Sequence, residues 1–125
     1  MNHIRMQQEI IETFNQYCKN VICINLNDIK SVLQQNGHPL LIRIHDDVTN
    51  ITPRLQAEMT KVNPDKASKA VLRIGYSADV EVQYEQVQSI LRIIDDAIPN
   101  VNLVWGYGID DKLPNGHCSI LLLIG

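Results

Sequence analysis

The fold of this 125-residue chain is constrained above all by four short apolar segments. Most of these segments are separated by stretches of helical periodicity. Segments of this length, rich in Val, Ile and Leu and bounded by Gly, Pro, Asn or Asp, are typical of β-strands. The third and fourth segments are separated only by the turn-rich stretch "DDKLPNG". We therefore predict four strands, at "HPLLIRIHDDV", "AVLRIGY", "VNLVWGYGI" and "HCSILLLIG".

Four helices are predicted where apolar residues recur every three or four positions. The first covers residues 4–21, and a brief second helix, capped by Asn27 or Asp28, runs to Leu33. A third covers residues 51–63, with Thr52 as its cap and Pro53 in its first turn. The clearest covers residues 83–98, and its predicted buried stripe consists of Tyr84, Val87, Leu91, Ile94 and Ile98.

The order of these elements is α-α-β-α-β-α-β-β, which predicts one domain over residues 1–125. We expect an α+β (or α/β) two-layer sandwich, in which helices cover a mixed sheet of about four strands. Two strand-helix-strand crossovers are expected to be right-handed. The last two strands are expected to form an antiparallel β-hairpin.

Charge and cysteine content narrow the class of partner. A net charge of −3 argues against nucleic acid or an anionic membrane as the main partner, because either favours a cationic surface. The three cysteines are odd in number, and no secretory leader or membrane-spanning run is visible. We therefore expect reduced thiols in a cytoplasmic protein.

The residues offer little local catalytic chemistry. Gly106 and Gly108 follow a strand but precede a second strand, so no helix N-terminus is available for a phosphate. Asp110 and Asp111 could hold a divalent cation, yet no third ligand lies nearby in sequence, and a solvated loop is favoured. The adjacent pair His117-Cys118 on a strand would point in opposite directions. We expect no metal, no cofactor and no catalytic residue.

Several segments, taken in order, resemble the C-terminal half of FtsZ, the bacterial cell-division GTPase of the tubulin superfamily. "VNLVWGYGIDDKL" resembles the segment in which Asn-Val-Asn, apolar residues and an aromatic precede Gly and then Ile-Asp. "INLNDIKSVLQQNGHPLLIRI" resembles the segment after the central helix, which carries the synergy loop. Residues 1–21 would then match the end of that central helix, and residues 22–125 the sandwich.

The resemblance implies roles for two residues. Asn25 matches the Asn of the synergy loop, and Asp28 matches its final Asp, which in the family polarises the attacking water in the neighbouring subunit's GTP site. This loop is about two residues shorter here, which would displace Asp28 by several Å at roughly 3.3 Å per extended residue. A helix N-cap is the alternative role for Asp28, and we favour it.

The GTP-binding half of the family has no counterpart in these 125 residues, so we expect no GTP binding or hydrolysis by them alone. The first functional expectation is a non-catalytic protein-interaction or assembly module, homo-oligomeric or bound to an FtsZ-like partner. The alternative is a small-ligand-binding or enzymatic domain with a site at an oligomer interface. Its polar candidates are His45, Asp46, Asp47 and His117. A third possibility is one half of a split or domain-swapped pair.

Overall fold

The computed structural model describes residues 29, 30, 32, 39–81 and 84–125. The elements are listed here in chain order: strand β1 (Leu40–Asp47), helix α1 (Ile51–Met59), a short 3₁₀ turn (Pro64–Lys66), strand β2 (Lys69–Tyr76), helix α2 (Tyr84–Ala97), strand β3 (Asn102–Ile109) and strand β4 (His117–Ile124). All four predicted strands are confirmed. The predicted helix over residues 4–21 lies outside the described residues. Of the brief second helix, Ile29, Lys30 and Val32 are described and are helical.

The strands form one mixed sheet in the order β1-β4-β2-β3. Strand β4 pairs antiparallel with both β1 and β2, whereas β2 and β3 pair in parallel across the α2 crossover. The predicted hairpin between β3 and β4 is therefore wrong, because β2 lies between them. The apolar run of β4 explains this position, since a strand that is apolar on both faces is most stable in the interior of a sheet.

One face of the sheet carries the helices and the main core. Alternate residues of each strand point to this face, as Ile42 and Ile44 of β1 do. Helix α1 contributes Ile51, Leu55 and Met59 to the same core. The other core residues are Ala67, which precedes β2, Ile98, which follows α2, and residues of α2, β2 and β4: Val87, Ile90, Ile94, Ala70, Leu72, Ile74, Tyr76, Cys118, Ile120, Leu122 and Ile124. The described part of the chain thus has the predicted α+β architecture.

The opposite face of the sheet is also buried in its central strands. Val71 of β2 and Leu123 of β4 point to it and are fully buried. Ile29 and Val32 are buried too, and a Cβ placed on Gly125 would lie 2.5 Å from the backbone oxygen of Val32. These contacts place the helical turn containing Val32 against the end of β4.

Two helix predictions need correction. Helix α1 ends at Met59 rather than at residue 63. The backbone N–H groups of Lys61 and Val62 donate to the carbonyl oxygens of Glu58 and Met59, which forms a turn. The following Asn63 precedes a proline, which disfavours helix at that residue. It also begins at Ile51, so Thr52 lies inside it and is not its cap. In α2, Tyr84 is 71% exposed rather than part of the buried stripe, because it occupies the first turn.

Candidate functional site

Polar side chains gather on the sheet face opposite α1 and α2. Strand β1 alternates between core isoleucines and the polar Arg43 and His45, which the sequence pattern predicts. Strand β2 contributes Arg73, and β4 contributes His117 and Ser119. We call these five residues the polar cluster. It is assembled from three adjacent strands, and its members come from distant parts of the sequence.

The sheet register fixes how the cluster is arranged. Arg43 and Arg73 both pair with Leu121, so the two arginines lie on either side of that residue in one row. In the next row, Ser119 lies between His45 and Gly75. The missing side chain of Gly75 leaves room here, because a Cβ at that position would lie 2.5 Å from Ser119 Oγ and 3.3 Å from Arg73 Nη1.

His45 and His117 are in direct contact. The Nε2 atom of His45 lies 2.9 Å from Nδ1 of His117, and the ring centroids are 4.9 Å apart. This distance fits a hydrogen bond in which one ring donates and the other accepts. Which ring donates depends on the tautomer of each histidine. Two of the four polar candidates named from the sequence are therefore brought together, although 72 residues separate them.

The other two candidates, Asp46 and Asp47, have local partners instead. Asp46 accepts hydrogen bonds from the backbone N–H of Asp47 and from Arg54, and these bonds lower the pKa of its carboxyl group. Asp47 accepts from the backbone N–H and the hydroxyl of Thr49, which lowers the pKa of Asp47 in the same way. Both carboxylates stabilise the turn that leads from β1 into α1.

A recess of about 180 Å³ opens beside the polar cluster. Its lining includes Arg43, His45, Arg73 and Ser119, with apolar contributions from neighbouring strand residues such as Leu121. Arg73 is only 4% exposed, and its Nη1 donates to the carbonyl oxygen of Ile74. Burial of a guanidinium costs free energy unless its N–H donors have hydrogen-bond partners, so the hydrogen bonds of Arg73 offset that cost. The described lining of the recess therefore includes two guanidinium groups.

The sequence drew attention to a different stretch, "WGYGIDD", which does not form a site in the described structure. Gly106 and Gly108 lie within strand β3, so they form no phosphate loop. Trp105 is half-buried against the core and stacks on Tyr107 with ring centroids 6.3 Å apart. Asp110 is buried, and its carboxylate accepts the backbone N–H of Lys112, as a turn residue does.

The remaining candidates divide into those that the structure describes and those that it does not. Asn25 and Asp28, the synergy-loop-like positions, lie outside the described residues. Cys118 is buried beneath the helices, and burial raises the pKa of its thiol to about 12. Across the described ranges, no group of three or more His, Cys, Asp or Glu residues could hold a metal ion. None of the described helices is long and apolar enough to cross a membrane.

Sequence reasoning missed Arg73 and Ser119. A signal was present, because Arg73 is the only charged residue between Ala70 and Tyr76 in an otherwise apolar strand. A charged residue inside such a strand must find partners when it is buried. Without the strand order, however, neither residue could be placed beside Arg43 and His45.

Neither a protein-family model nor a curated protein matches this sequence. Solved structures do match. An empty dimer of FtsZ from M. jannaschii superposes with a TM-score of 0.63 at 20% identity, over 86% of this chain and 32% of that one. A GTPγS-form protofilament of TubZ from Bacillus thuringiensis serovar israelensis gives a TM-score of 0.67 at 10% identity, over 97% and 39%.

The chain has an FtsZ-like fold. CetZ from Methanosaeta thermophila strengthens this conclusion, with a TM-score of 0.60 at 14% identity over 96% of this chain and 35% of that one. The predicted resemblance to FtsZ is therefore confirmed at the level of the fold. The chain spans about a third of the length of these FtsZ-like structures. Because fold does not fix function, their activities do not transfer with it.

Proposed function

We propose that this chain is a non-catalytic protein-interaction or assembly module, which associates with itself or with an FtsZ-like filament. The observation that carries the proposal is the match of nearly the whole chain to subunits in a TubZ protofilament and in a four-stranded TubZ filament. A cytoplasmic role linked to cell division is the setting that the FtsZ-like fold suggests. The synergy-loop-like residues Asn25 and Asp28 would belong to the interface.

Large exposed apolar side chains lie at both ends of the sheet. Strand β1 runs in the same direction as β2, because β4 is antiparallel to both. Leu40, which is 44% exposed, therefore lies at the end where β2 begins. Ile109, which is 39% exposed, is the last residue of β3 and lies at the end of the sheet where the parallel β2 finishes. Tyr84, which is 71% exposed, begins α2 at that same end.

Apolar residues at opposite ends suit head-to-tail association. An interface between one end of a subunit and the other end of the next is heterologous, and it produces an open filament when the rotation does not close a ring. An isologous dimer would instead use one surface twice. The positions of Leu40 and Tyr84 therefore support an interface of the filament-forming type.

The test uses one charge-adding substitution at each end. Leu40→Lys and Tyr84→Lys each place a cation in an apolar contact, and Gln56→Lys, on the exposed surface of α1, adds the same charge as the matched control. Sedimentation velocity should show association of the wild type and of Gln56→Lys. Each end variant alone should remain monomeric, because every head-to-tail contact needs both ends.

Mixing distinguishes the geometries. Each end variant retains one intact end, so an equimolar mixture of Leu40→Lys and Tyr84→Lys should form heterodimers and nothing larger. Association of either variant alone at wild-type strength would refute the head-to-tail arrangement. A monomeric wild-type chain that also fails to bind FtsZ-like filaments would refute the proposed function.

A further inference from the structure

We infer that the Asn115–Gly116 peptide is a site of spontaneous deamidation, which Ser77 and Asp79 hold in an unreactive turn. The inference goes beyond the proposed assembly function and does not depend on it. Asn115 is exposed, and the residue after it is a glycine. Because glycine has no side chain to shield its backbone nitrogen, an Asn-Gly pair offers the least steric resistance to this reaction.

The reaction needs only water. The backbone nitrogen of Gly116 loses its proton and attacks Cγ of Asn115, the bond from Cγ to the side-chain amide nitrogen breaks, and ammonia leaves. Water then opens the resulting five-membered succinimide ring at either carbonyl carbon, which gives aspartate or isoaspartate at position 115. Either product adds one negative charge to the net charge of −3, and isoaspartate also lengthens the backbone by one carbon just before β4.

The turn before β4 has the wrong geometry for ring closure. The N–H of His117 donates to the carbonyl oxygen of Pro114 at 3.2 Å, so Asn115 and Gly116 are the central residues of a β-turn. Gly116 has φ +76°, and within the described part of the chain only glycine has a positive φ, which identifies a type II turn. Such a turn gives Asn115 a ψ of about +120°. The ring instead needs the Gly116 nitrogen beside the Asn115 Cβ, at a ψ of about −120° as in a type II′ turn, so the peptide must rotate before the ring can close.

Ser77 and Asp79 oppose that rotation. The Gly116 N–H donates to Ser77 Oγ at 3.1 Å and to Asp79 Oδ1 at 3.2 Å. Ser77 is fully buried, and its hydroxyl donates to the same Asp79 oxygen at 2.7 Å, which fixes both acceptors in place. Rotation of the peptide breaks both bonds to the nitrogen that must attack.

The charge of Asp79 opposes the reaction as well. The hydrogen bonds from Ser77 and Gly116 lower the pKa of its carboxyl group, so Asp79 is ionised at neutral pH. Loss of the Gly116 proton would place a second negative charge beside this carboxylate, which is unfavourable. The site is therefore latent in the folded chain and reacts when the turn opens.

The experiment incubates the 125-residue chain at neutral pH and follows position 115 by mass spectrometry after a brief trypsin digestion. Cleavage after Lys112 releases residues 113–125, in which Asn115 is the only asparagine, and the second Asn-Gly pair, Asn36–Gly37, falls in another peptide. Isoaspartate in residues 113–125, detected with isoaspartyl methyltransferase, identifies the succinimide route, because direct hydrolysis of the amide gives aspartate alone. We expect the folded wild type to react at least about tenfold more slowly than the same chain unfolded in urea.

Two variants remove the restraint, and a third controls for stability. Asp79→Ala and Ser77→Ala should each deamidate about tenfold faster than the wild type, the factor that corresponds to the loss of one hydrogen bond. Leu103→Ala weakens the opposite end of the sheet and leaves both bonds to Gly116 intact, so it should react at the wild-type rate. Circular dichroism verifies that each variant is folded during the incubation.

Four results would overturn the inference. The first is an equal rate in the folded and the unfolded wild type. The second is a wild-type rate in both Asp79→Ala and Ser77→Ala. The third is equal acceleration by Leu103→Ala, which would assign the effect to global stability. The fourth is aspartate without isoaspartate at position 115.

Discussion

The central position of β4 gives the sharpest prediction about stability. In the structure, β4 pairs on both sides, and the adjacent residues Leu122 and Leu123 point to opposite faces of the sheet. Both side chains are 0% exposed. Leu122→Ala and Leu123→Ala should therefore destabilise the protein by similar amounts, although one faces the helices and the other faces the opposite side.

The magnitude follows from burial. Each substitution removes three carbon atoms from a fully buried side chain, which costs about 2.5 kcal/mol in transfer free energy at about 0.8 kcal/mol per carbon. Incomplete collapse of the cavity adds roughly 1 kcal/mol. We expect a loss of about 3 to 4 kcal/mol for each variant. Leu103→Ala on the edge strand β3, where the side chain is half-buried, is the matched control and should cost about half as much.

Urea denaturation followed by circular dichroism measures these differences, and hydrogen exchange provides an independent check. Amides of β4 and β2 should be the most protected, because each of these strands is bonded to neighbours on both sides. A loss below about 1 kcal/mol for Leu123→Ala, beside a full loss for Leu122→Ala, would mean that one face of β4 is not packed. That result would refute burial of β4 on both faces and would mean that the face opposite the helices is open to solvent.

Three further predictions concern the loops and the thiol. Gly116 has φ +76°, so Gly116→Ala should lower the free energy of unfolding by about 1 kcal/mol, whereas Gly116→Asn should cost less; urea denaturation measures both. The Ser77 hydroxyl and the Gly116 N–H donate to Asp79 and hold its pKa below the usual value. The contribution of these hydrogen bonds to stability is complete above the unfolded-state pKa of Asp79, and it is lost as the pH falls through the lower folded-state pKa. Asp79→Asn should therefore reduce the Tm at pH 7 and have little effect near pH 2. Burial raises the pKa of Cys118 to about 12, so in a Cys18→Ser, Cys23→Ser background this thiol should react with Ellman's reagent at pH 8 only after unfolding.

The sequence predicts the four strands and the two fully described helices, α1 and α2, because their signals are local. The alternation of Arg43 and His45 with Ile42 and Ile44 is visible without any structure, and so is the 3- and 4-residue spacing in α2. Helix ends are less secure, as the early end of α1 at Met59 shows. There the chain turns at Lys61 and Val62, although the helical spacing of apolar residues continues to residue 62.

Strand order depends on pairing between distant segments, and a local turn signal was misleading. "DDKLPNG" is typical of a hairpin, but its residues form their own turn: Leu113 donates to Asp110, and His117 donates to Pro114. The better signal was the apolar run of β4, since a strand buried on both faces belongs inside the sheet. In the structure, β1 and β2 are the strands that pair with β4 on either side.

The same dependence explains the limits on the candidate site. His45 and His117 could be named from the sequence as polar residues near strand ends, but their contact requires the β1–β4 register. Arg73 joins them only because β2 pairs with the other side of β4. A site assembled across three strands is visible from sequence only after the order of the strands is known.

The most direct test of the assembly proposal is sedimentation equilibrium of the wild-type chain from about 1 to 500 μM, a range that covers typical weak protein contacts. Head-to-tail assembly predicts a weight-average mass that rises steadily above the 14.2 kDa of one chain. It also predicts that Leu40→Lys and Tyr84→Lys each suppress the rise. A mass that stays at 14.2 kDa at every concentration, together with no co-sedimentation with FtsZ-like filaments, would contradict it.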